Sequence, residues 1–333
     1  MILLEIIDIL KRKDKYVPLY HHLNNISQTK TINMTIQKIR IAVVGLGNIG
    51  RYAIEAIEAS QDCELVGIVR RSVTELPPQY QKYTQVTDIA ELGKVDVAII
   101  SQPTRAVPEV ASSILAKGIN TVDSFDIHGE IVSLRRNLDA VAKANGTKAI
   151  LAAGWDPGSD SVIRTLMQAM VPQGITYTDF GPGMSMGHSV AARAIEGVAD
   201  ALSMTIPVGT SIHRRMVYVQ LKEGYTLEDV SARLKADDYF SHDETHVIQV
   251  NSINDLKDVG HGVNMSRKGV SGKTHNQLLH FDMKINNPAL TAQILVACAR
   301  ATMRQMPGAY TLPEVPPIDL LPGEREEWIG KLV

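Results

Sequence analysis

Hydrophobic positions between residues 38 and 154 follow two alternating spacings, and these spacings predict the elements. Short continuous runs of Val, Ile and Ala alternate with segments in which apolar residues recur every three to four positions. The continuous runs are typical of strands buried on both faces, and the other segments are typical of amphipathic helices. The predicted strands are 39–45, 63–69, 95–100, 119–125 and 147–154, and the predicted helices are 49–59, 106–117 and 131–144. This alternation predicts a doubly wound parallel sheet, because parallel crossovers are right-handed.

Beyond residue 154 the pattern becomes typical of an α+β region. Helices are predicted at 159–171, at 226–235 and from Asn287-Pro288 to about 306, since proline is favoured in a first helical turn. Hydrophobic and polar residues alternate in several runs, which predicts a mixed or antiparallel sheet with one face covered. These runs are 201–208, 211–221, 245–251, 261–266 and 276–285. The last part of the chain is proline-rich and is predicted to be irregular.

These changes in pattern predict the domain organisation. Residues 34–154 form a first domain and 155–299 a second, and the C-terminal segment, about 300–333, packs back on the first. Residues 1–33 are predicted to be a poorly ordered extension, with Met34 as the natural start. Their apolar beginning is interrupted by Glu5 and Asp8 and lacks a basic leader, so it does not resemble a signal peptide.

Composition excludes several classes of protein. The 34 basic and 36 acidic residues are nearly balanced and form no basic block, so we expect no nucleic-acid partner. No apolar run approaches the roughly 20 residues of a membrane span, so we expect no membrane association. Cys63 and Cys298 form neither a CxxC pair nor a metal spacing. We therefore expect no disulfide framework, no bound metal and a reducing cytoplasm.

A glycine-rich turn joins the first predicted strand to the first predicted helix. Its sequence, Gly45-Leu46-Gly47-Asn48-Ile49-Gly50, is GxGxxG. In this context the glycines allow a tight turn, a close approach by a pyrophosphate and helix packing on the strand. A turn without a ligand is the minority alternative. The motif predicts a Rossmann-like dinucleotide site in which Gly45, Gly47, Asn48, Ile49 and Gly50 contact the cofactor.

The end of the second strand indicates which dinucleotide binds. Arg70-Arg71-Ser72 lies about 20 residues past the glycines, where an NAD site would carry Asp or Glu. Guanidinium groups match phosphate oxygens, so this pair favours the 2′-phosphate of NADP. Two solvated surface arginines are the alternative. Thr104 completes the predicted cofactor-binding residues.

Two carboxylates follow the last two strands of the predicted parallel sheet. Asp126 closes the stretch DSFD, and Asp156 lies in GWDPG. Ligands of open α/β sheets bind at these carboxyl ends, and paired carboxylates suit a substrate ammonium group. Asp123 is a weaker candidate than Asp126 for binding the ammonium group, because it could equally be a capping residue or a loop residue. Helix capping is also a serious alternative for Asp156.

Further candidates lie in the second domain. FGPGMSMGHS, at 180–189, is predicted to be a loop that needs unusual backbone angles. Arg214 and Arg215 point to opposite faces of a predicted strand, and one of them could bind a substrate carboxylate. His261 and Asn287 are individually weak candidates.

Together these residues resemble the meso-diaminopimelate D-dehydrogenase family, in particular its shorter, second type. The resemblance covers nearly all of 38–320 and rests on VVGLGNIGR, LVGIVRRS, DSFD, AGWDPG, DFGPGMSMGHS and GAYTLPEV. It implies a homodimer whose second domain serves dimerisation and substrate binding. It also implies NADP-dependent, reversible oxidative deamination of the D-centre of meso-2,6-diaminopimelate, in the synthesis of lysine and cell-wall precursors.

The resemblance also implies roles for individual residues. Asp126 and Asp156 would hold the ammonium of the D-centre, and either could be the base. Arg215 would bind the carboxylate of the distal L-centre. The implied substrate contacts are Trp155, Phe180, Met186, Thr205, Arg215, His261 and Asn287.

Two other interpretations stay open at this point. One is another two-domain NADP reductase, such as a dihydrodipicolinate reductase or a sugar oxidoreductase. The latter would be expected to carry a catalytic-loop lysine, which 154–160 lacks. The other is a non-catalytic NADPH sensor, which would not need Asp126, Asp156 and Arg215 to converge on one pocket.

Overall fold

A computed structural model describes residues 38–257 and 260–333, so the prediction for 1–33 lies outside the described residues. The strands are β1 (Ile39–Val44), β2 (Cys63–Val69), β3 (Gln85–Val86), β4 (Val97–Ile100), β5 (Asn120–Asp123), β6 (Lys148–Leu151), β7 (Gln173–Phe180), β8 (Gly183–Met184), β9 (Val198–Gly209), β10 (Ile212–Leu221), β11 (Glu244–Gln249), β12 (Gly260–Ser271), β13 (Thr274–Asn286) and β14 (Gly308–Thr311). The α-helices are α1 (Asn48–Glu58), α2 (Val107–Ala116), α3 (Ile131–Asn145), α4 (Ser159–Met170), α5 (Met186–Ala194), α6 (Leu227–Ala236), α7 (Asn287–Thr302) and α8 (Arg325–Leu332).

The first sheet is parallel and has seven strands in the order β14-β6-β5-β4-β1-β2-β3. This confirms the predicted doubly wound sheet. Side chains of β1 alternate between two cores, with Ile41 and Val43 in one and Ala42 and Val44 in the other. Strand order reverses at β1, which lies between β2 and β4. In sheets of this kind the ligand crevice opens at that reversal, beyond the carboxyl ends of the strands.

The prediction missed two strands of this sheet. β3 has only two residues, too few to show a pattern. β14 pairs with β6 but has the short sequence GAYT, next to the proline-rich tail. Helix α7 precedes β14 and packs on α1, burying Ala292, Leu295 and Val296 in one of the two cores of the sheet.

Two smaller sheets follow β6. The four-stranded sheet, in the order β11-β10-β9-β8, is mixed, because β11 runs parallel to β10 while the other pairs are antiparallel. The three-stranded sheet, β13-β12-β7, is antiparallel. Mixed and antiparallel pairing was predicted, and the structure confirms it. Val217 and Val219 of β10 pack with Val230 and Leu234 of α6.

The structure corrects the prediction at three places. The stretch predicted as a glycine-rich loop contains the end of β7, then β8, and α5 from Met186 onward. Its glycines serve close packing as well as turns: Gly181 has φ +94°, and a Cβ added at Gly183 would lie 2.2 Å from the Gly260 carbonyl oxygen. Helix α7 ends at Thr302, earlier than predicted, and α8 was not predicted. Among the described residues, no helix is long and apolar enough to cross a membrane.

Candidate functional site

A cavity of about 780 Å³ opens at the carboxyl ends of β5 and β6. It is lined by all nine residues predicted to be catalytic or to bind substrate. These are Asp126, Trp155, Asp156, Phe180, Met186, Thr205, Arg215, His261 and Asn287. Of the predicted cofactor-binding residues, Ile49 reaches the same cavity from the start of α1. The structure therefore brings the glycine-rich turn and the predicted substrate residues to one crevice.

Asp126 is held on three sides. Its backbone N–H donates to Thr104 Oγ1 at 3.1 Å, and its Oδ1 accepts a hydrogen bond from the Tyr239 hydroxyl at 3.2 Å. Its Oδ2 lies against Gly187 in the first turn of α5, where an added Cβ would approach to 2.6 Å. The positive end of the helix dipole favours a negative charge there. The backbone of Asp126 and one of its carboxylate oxygens are therefore held by neighbours from two other parts of the chain.

Asp156 follows the neighbouring strand, β6, and occupies a different environment from Asp126. Burial raises its pKa well above the usual range, and the nearby Asp160 carboxylate adds to the effect by its charge and a hydrogen bond. Asp160 is buried and pairs with Arg164, with 3.0 Å between Oδ2 and Nη2. Asp156 does not cap α4, because the N-cap residue of that helix is Gly158. Its surroundings thus favour proton uptake.

Asp123, the weaker candidate, has a structural place. It is fully buried, and its Oδ1 accepts from the backbone N–H groups of Phe125 at 2.9 Å and Ala152 at 3.2 Å. Burial raises its pKa to about 6. Ala152 has φ +51°, a left-handed conformation that costs energy for alanine. Asp123 thus joins the turns after β5 and β6 to each other.

Three aromatic rings, those of Trp155, Phe180 and His261, pack together in the wall of the cavity. The Trp155 indole Nε1–H donates to Asn287 Oδ1 at 2.9 Å. Phe180 meets the indole edge-on with 5.9 Å between centroids, and His261 lies 5.0 Å away at a tilt. Trp155 is buried, so these contacts fix the plane of its ring.

Arg215 of β10 lines the cavity together with Thr205 of β9. Arg215 Nε donates to Asp243 Oδ2 at 2.6 Å, and its Nη1 donates to Thr205 Oγ1. Arg214 points to the other face of β10 and pairs with Glu244, with 2.9 Å between Nε and Oε1. Arg215 is therefore the member of the pair that faces the cavity. A guanidinium has five N–H donors, so Arg215 retains donors for a ligand carboxylate.

Sequence reasoning missed several residues at the site. Tyr239 and Asp243 lie in a polar loop with no periodic pattern, and only the fold brings them to Asp126 and Arg215. His188 lies in the stretch FGPGMSMGHS, but the sequence predicted no ligand contact for it. Its Nδ1 lies 2.8 Å from Ser185 Oγ, and burial, together with the Arg215 charge, lowers its pKa to about 3. His188 is therefore neutral at physiological pH.

His213 is a further missed residue of the cavity wall. Its Nε2 accepts the backbone N–H of Phe180 at 2.8 Å. Burial lowers its pKa, and the positive charge of Arg215 lowers it further. A neutral ring is required for Nε2 to accept that hydrogen bond. His213 therefore adds no positive charge to the cavity wall beside Arg215.

The glycine-rich turn fits a dinucleotide phosphate. Gly45 has φ +103°, and a Cβ on Gly50 would lie 2.4 Å from the Gly45 carbonyl oxygen, so neither position accepts a side chain. Ser101 Oγ donates to the carbonyl oxygens of Val44 and Gly45, both at 3.1 Å, and so fixes the turn. A Cβ on Gly47 would meet nothing within 4 Å. Open space thus lies before the N-terminus of α1, whose first N–H groups have no partner within the helix.

The residues after β2 fit an additional phosphate. Arg71 and Ser72 are exposed beside the turn. Arg70 is partly buried, and its Nη1 donates to Thr74 Oγ1 at 2.7 Å and to Gln85 Oε1 at 2.9 Å. These contacts orient one guanidinium and leave the other accessible. Among the residues that the structure describes, no group of three His, Cys, Asp or Glu side chains could hold a metal ion.

The fold and the turn define a nicotinamide-nucleotide oxidoreductase. Residues 39–122 match the model of the oxidoreductase family with an NAD-binding Rossmann fold, and 154–287 match the diaminopimelic acid dehydrogenase C-terminal domain. The chain is 63% identical to a meso-diaminopimelate D-dehydrogenase of Bacteroides fragilis over 90% of this chain and 100% of the relative. It is 31% identical to that of Corynebacterium glutamicum over 88% and 98%. The chain belongs to the meso-diaminopimelate D-dehydrogenase family.

Solved structures agree with this membership. The diaminopimelate dehydrogenase of C. glutamicum in complex with DAP is similar with a TM-score of 0.81 and 30% identity, over 89% of this chain and all of that one. An engineered D-amino acid dehydrogenase bound to NADP⁺ is similar with a TM-score of 0.80 and 29% identity, again over 89% and 100%.

Proposed function

We propose that this chain catalyses the NADP-dependent, reversible oxidative deamination of the D-centre of meso-2,6-diaminopimelate. The products are L-2-amino-6-oxopimelate, which cyclises to tetrahydrodipicolinate, ammonia and NADPH. The observation that carries the proposal is that one cavity is lined by Asp126 and Asp156, which follow strands of the parallel sheet, and by Arg215, which comes from β10. Family membership supports the same reaction.

The two ends of the cavity suit the two ends of this substrate. The carboxylates accept hydrogen bonds from the D-centre ammonium and balance its charge. Arg215 binds the distal carboxylate, with Thr205 beside it, and His261 and Asn287 add polar contacts. Phe180 and Met186 line the channel between the ends, and Trp155 packs on the carbon chain. Each end meets different partners, which allows a nearly symmetric substrate to bind in one orientation.

Bound NADP would supply the acceptor for the hydride that leaves the D-centre carbon. The amino group must be neutral when the hydride leaves, so a base must take one of its protons. Asp156 is suited to take the proton because its surroundings raise its pKa, and Asp126 is suited to orient the nitrogen. Water then adds to the resulting imine carbon, and ammonia leaves. Holding the substrate carbon in place contributes much of the acceleration.

The choice of NADP rests on the residues after β2. Arg71 and Ser72 are placed to contact a 2′-phosphate, and Arg70 adds positive charge behind them. Gly45, Gly47, Asn48, Ile49 and Gly50 hold the pyrophosphate through backbone N–H groups and close approach. Thr104 accepts the backbone N–H of Asp126, and in this proposal it also contacts the cofactor.

We also propose that the protein is a homodimer in a reducing compartment such as the cytoplasm. The outer face of the three-stranded sheet exposes Ile175 and Leu278, 60% and 56% exposed, on opposite sides of Lys268 in register, with Tyr177 nearby. An apolar patch on an open sheet face is typical of an interface. Cys63 and Cys298 are free and buried, as suits a reducing compartment. Sedimentation of wild type and Ile175→Asp tests the dimer.

The reaction is tested by absorbance of the reduced nicotinamide. Purified protein is mixed with meso-diaminopimelate and either NADP or NAD, and the LL isomer serves as the control. We expect NADPH formation with the meso isomer and none with the LL isomer. No reduction with either isomer, from folded protein that binds NADPH, would contradict the proposal.

A further inference from the structure

We infer that Tyr239 is a positioning residue for the reaction and acts through Asp126. The inference rests on the proposed function and adds a residue to it. Tyr239 follows α6, far in sequence from both aspartates, and its side chain lines the same cavity. Its hydroxyl donates to Asp126 Oδ1 at 3.2 Å.

The Tyr239 hydroxyl is constrained to donate. Burial raises its pKa, and the charge and hydrogen bond of Asp126 raise it further, so the phenol stays protonated. The charged groups around it are Asp126, Asp237 and Arg105. Arg105 lies over the phenol ring at 5.9 Å from the centroid and reaches Asp237 Oδ2 at 3.7 Å. The ring edge also contacts neutral His188 at 5.3 Å between centroids.

These contacts hold the carboxylate of Asp126 in one rotation. The phenol hydroxyl holds Oδ1, and Oδ2 lies so close to Gly187 that an added Cβ there would come within 2.6 Å of it. A carboxylate that can rotate presents its lone pairs to the ammonium only part of the time, so loss of the phenol hydroxyl weakens substrate binding and slows the reaction. The same loop carries Asp243, which fixes Arg215. Tyr239 therefore supports the amine end of the site from the loop that also supports the carboxylate end.

The test is a double-mutant cycle on substrate binding. Wild type, Tyr239→Phe, Asp126→Asn and the double variant are saturated with NADPH and titrated with meso-diaminopimelate in a calorimeter. Both ligands are already reduced, so no turnover occurs and even inactive variants are measurable. In the wild-type background, we expect Tyr239→Phe to raise the Kd for meso-diaminopimelate about tenfold, as for loss of one hydrogen bond to a charged group. In the Asp126→Asn background, we expect the same substitution to raise this Kd less than about twofold.

Tyr225→Phe is the matched control. The Tyr225 hydroxyl also donates to a carboxylate, Glu196 Oε1 at 3.0 Å, but it lies outside the cavity. It should leave the Kd unchanged. In turnover, Tyr239→Phe should lower kcat while the KM for NADP stays at the wild-type value, a split that general loosening of the fold would not produce.

Two outcomes would overturn the inference, and they are distinguishable. Equal weakening in both backgrounds, or none, would show that Tyr239 does not act through Asp126, although the wild type still binds and oxidises the substrate. A wild type that neither binds meso-diaminopimelate nor reduces NADP with it would overturn the proposed function, and the role of Tyr239 with it.

Discussion

Gly187→Ala should separate the activity of this protein from its stability. Gly187 is the second residue of α5, and its backbone is helical, so alanine fits the local conformation. Alanine is favoured over glycine in helices by up to about 1 kcal/mol. On the fold alone, the substitution should therefore be neutral or stabilising.

The same methyl group would damage the site. The added Cβ would lie 2.6 Å from Asp126 Oδ2, whereas ordinary contacts begin near 3.4 Å, so the carboxylate must move by about 0.8 Å. The Tyr239 ring, 3.5 Å from the same position, blocks part of the retreat. Displacements of about 1 Å at a reacting centre cost about a hundredfold in rate. We expect kcat with meso-diaminopimelate to fall by about that factor.

The assay pairs NADPH formation with urea unfolding. Gly330→Ala is the control, because Gly330 is also helical, in α8, and an added Cβ there meets nothing within 4 Å. It should match wild type in kcat. The reasoning would be refuted if Gly187→Ala kept the wild-type kcat, or if its free energy of unfolding fell together with its activity.

Three further predictions concern other residues. Burial raises the pKa of Asp123 to about 6, above the value of 3.8 for the unfolded chain, so its contribution to stability is present at low pH and lost as pH rises. Asp123→Asn should therefore gain about 2 kcal/mol in unfolding free energy relative to wild type between pH 4 and pH 7, measured with urea; an unchanged difference would contradict it. Arg215→Gln should raise the KM for meso-diaminopimelate by about a hundredfold and leave the KM for NADP unchanged, and a similar rise for both would point to misfolding. Asn287→Ala leaves the Trp155 N–H without its acceptor and should lower the free energy of unfolding by about 1–3 kcal/mol. In a protein that already carries Trp155→Phe, the same substitution should cost much less, and urea unfolding of wild type, both single variants and the double variant measures the difference.

Much of the fold could be predicted because its signals are local. The two longest strands of the parallel sheet, β1 and β2, are rich in apolar residues, and β2 spans the predicted 63–69. β14 was not predicted because its four residues are stabilised by pairing with β6, a strand that is distant in sequence. α5 escaped because glycine and serine, which favour turns, fill its beginning, and the tertiary contact with Asp126 outweighs that preference.

The candidate site divides in the same way. Asp126 and Asp156 could be found because they follow strand ends, which meet at one edge of a parallel sheet. The sequence narrowed the arginine that binds a substrate carboxylate only to the pair Arg214 and Arg215. Alternation on a strand gives two faces but does not show which face is covered. Tyr239 and Asp243 could not be found, because hydrogen bonds between residues far apart in sequence leave no periodic trace.

The pairing of β14 with β6 has a consequence for biosynthesis. Residues 308–311 complete a sheet whose other strands all lie before residue 152. The stretch from 152 to 307 must therefore be synthesised before β6 gains its second neighbouring strand. Until then β6 presents an unpaired, apolar edge, which is a template for aggregation. Contacts this distant in sequence also form slowly. A ribosome-bound chain would therefore carry an unfinished nucleotide sheet until residues 308–311 have emerged, and chaperone demand should peak just before they do.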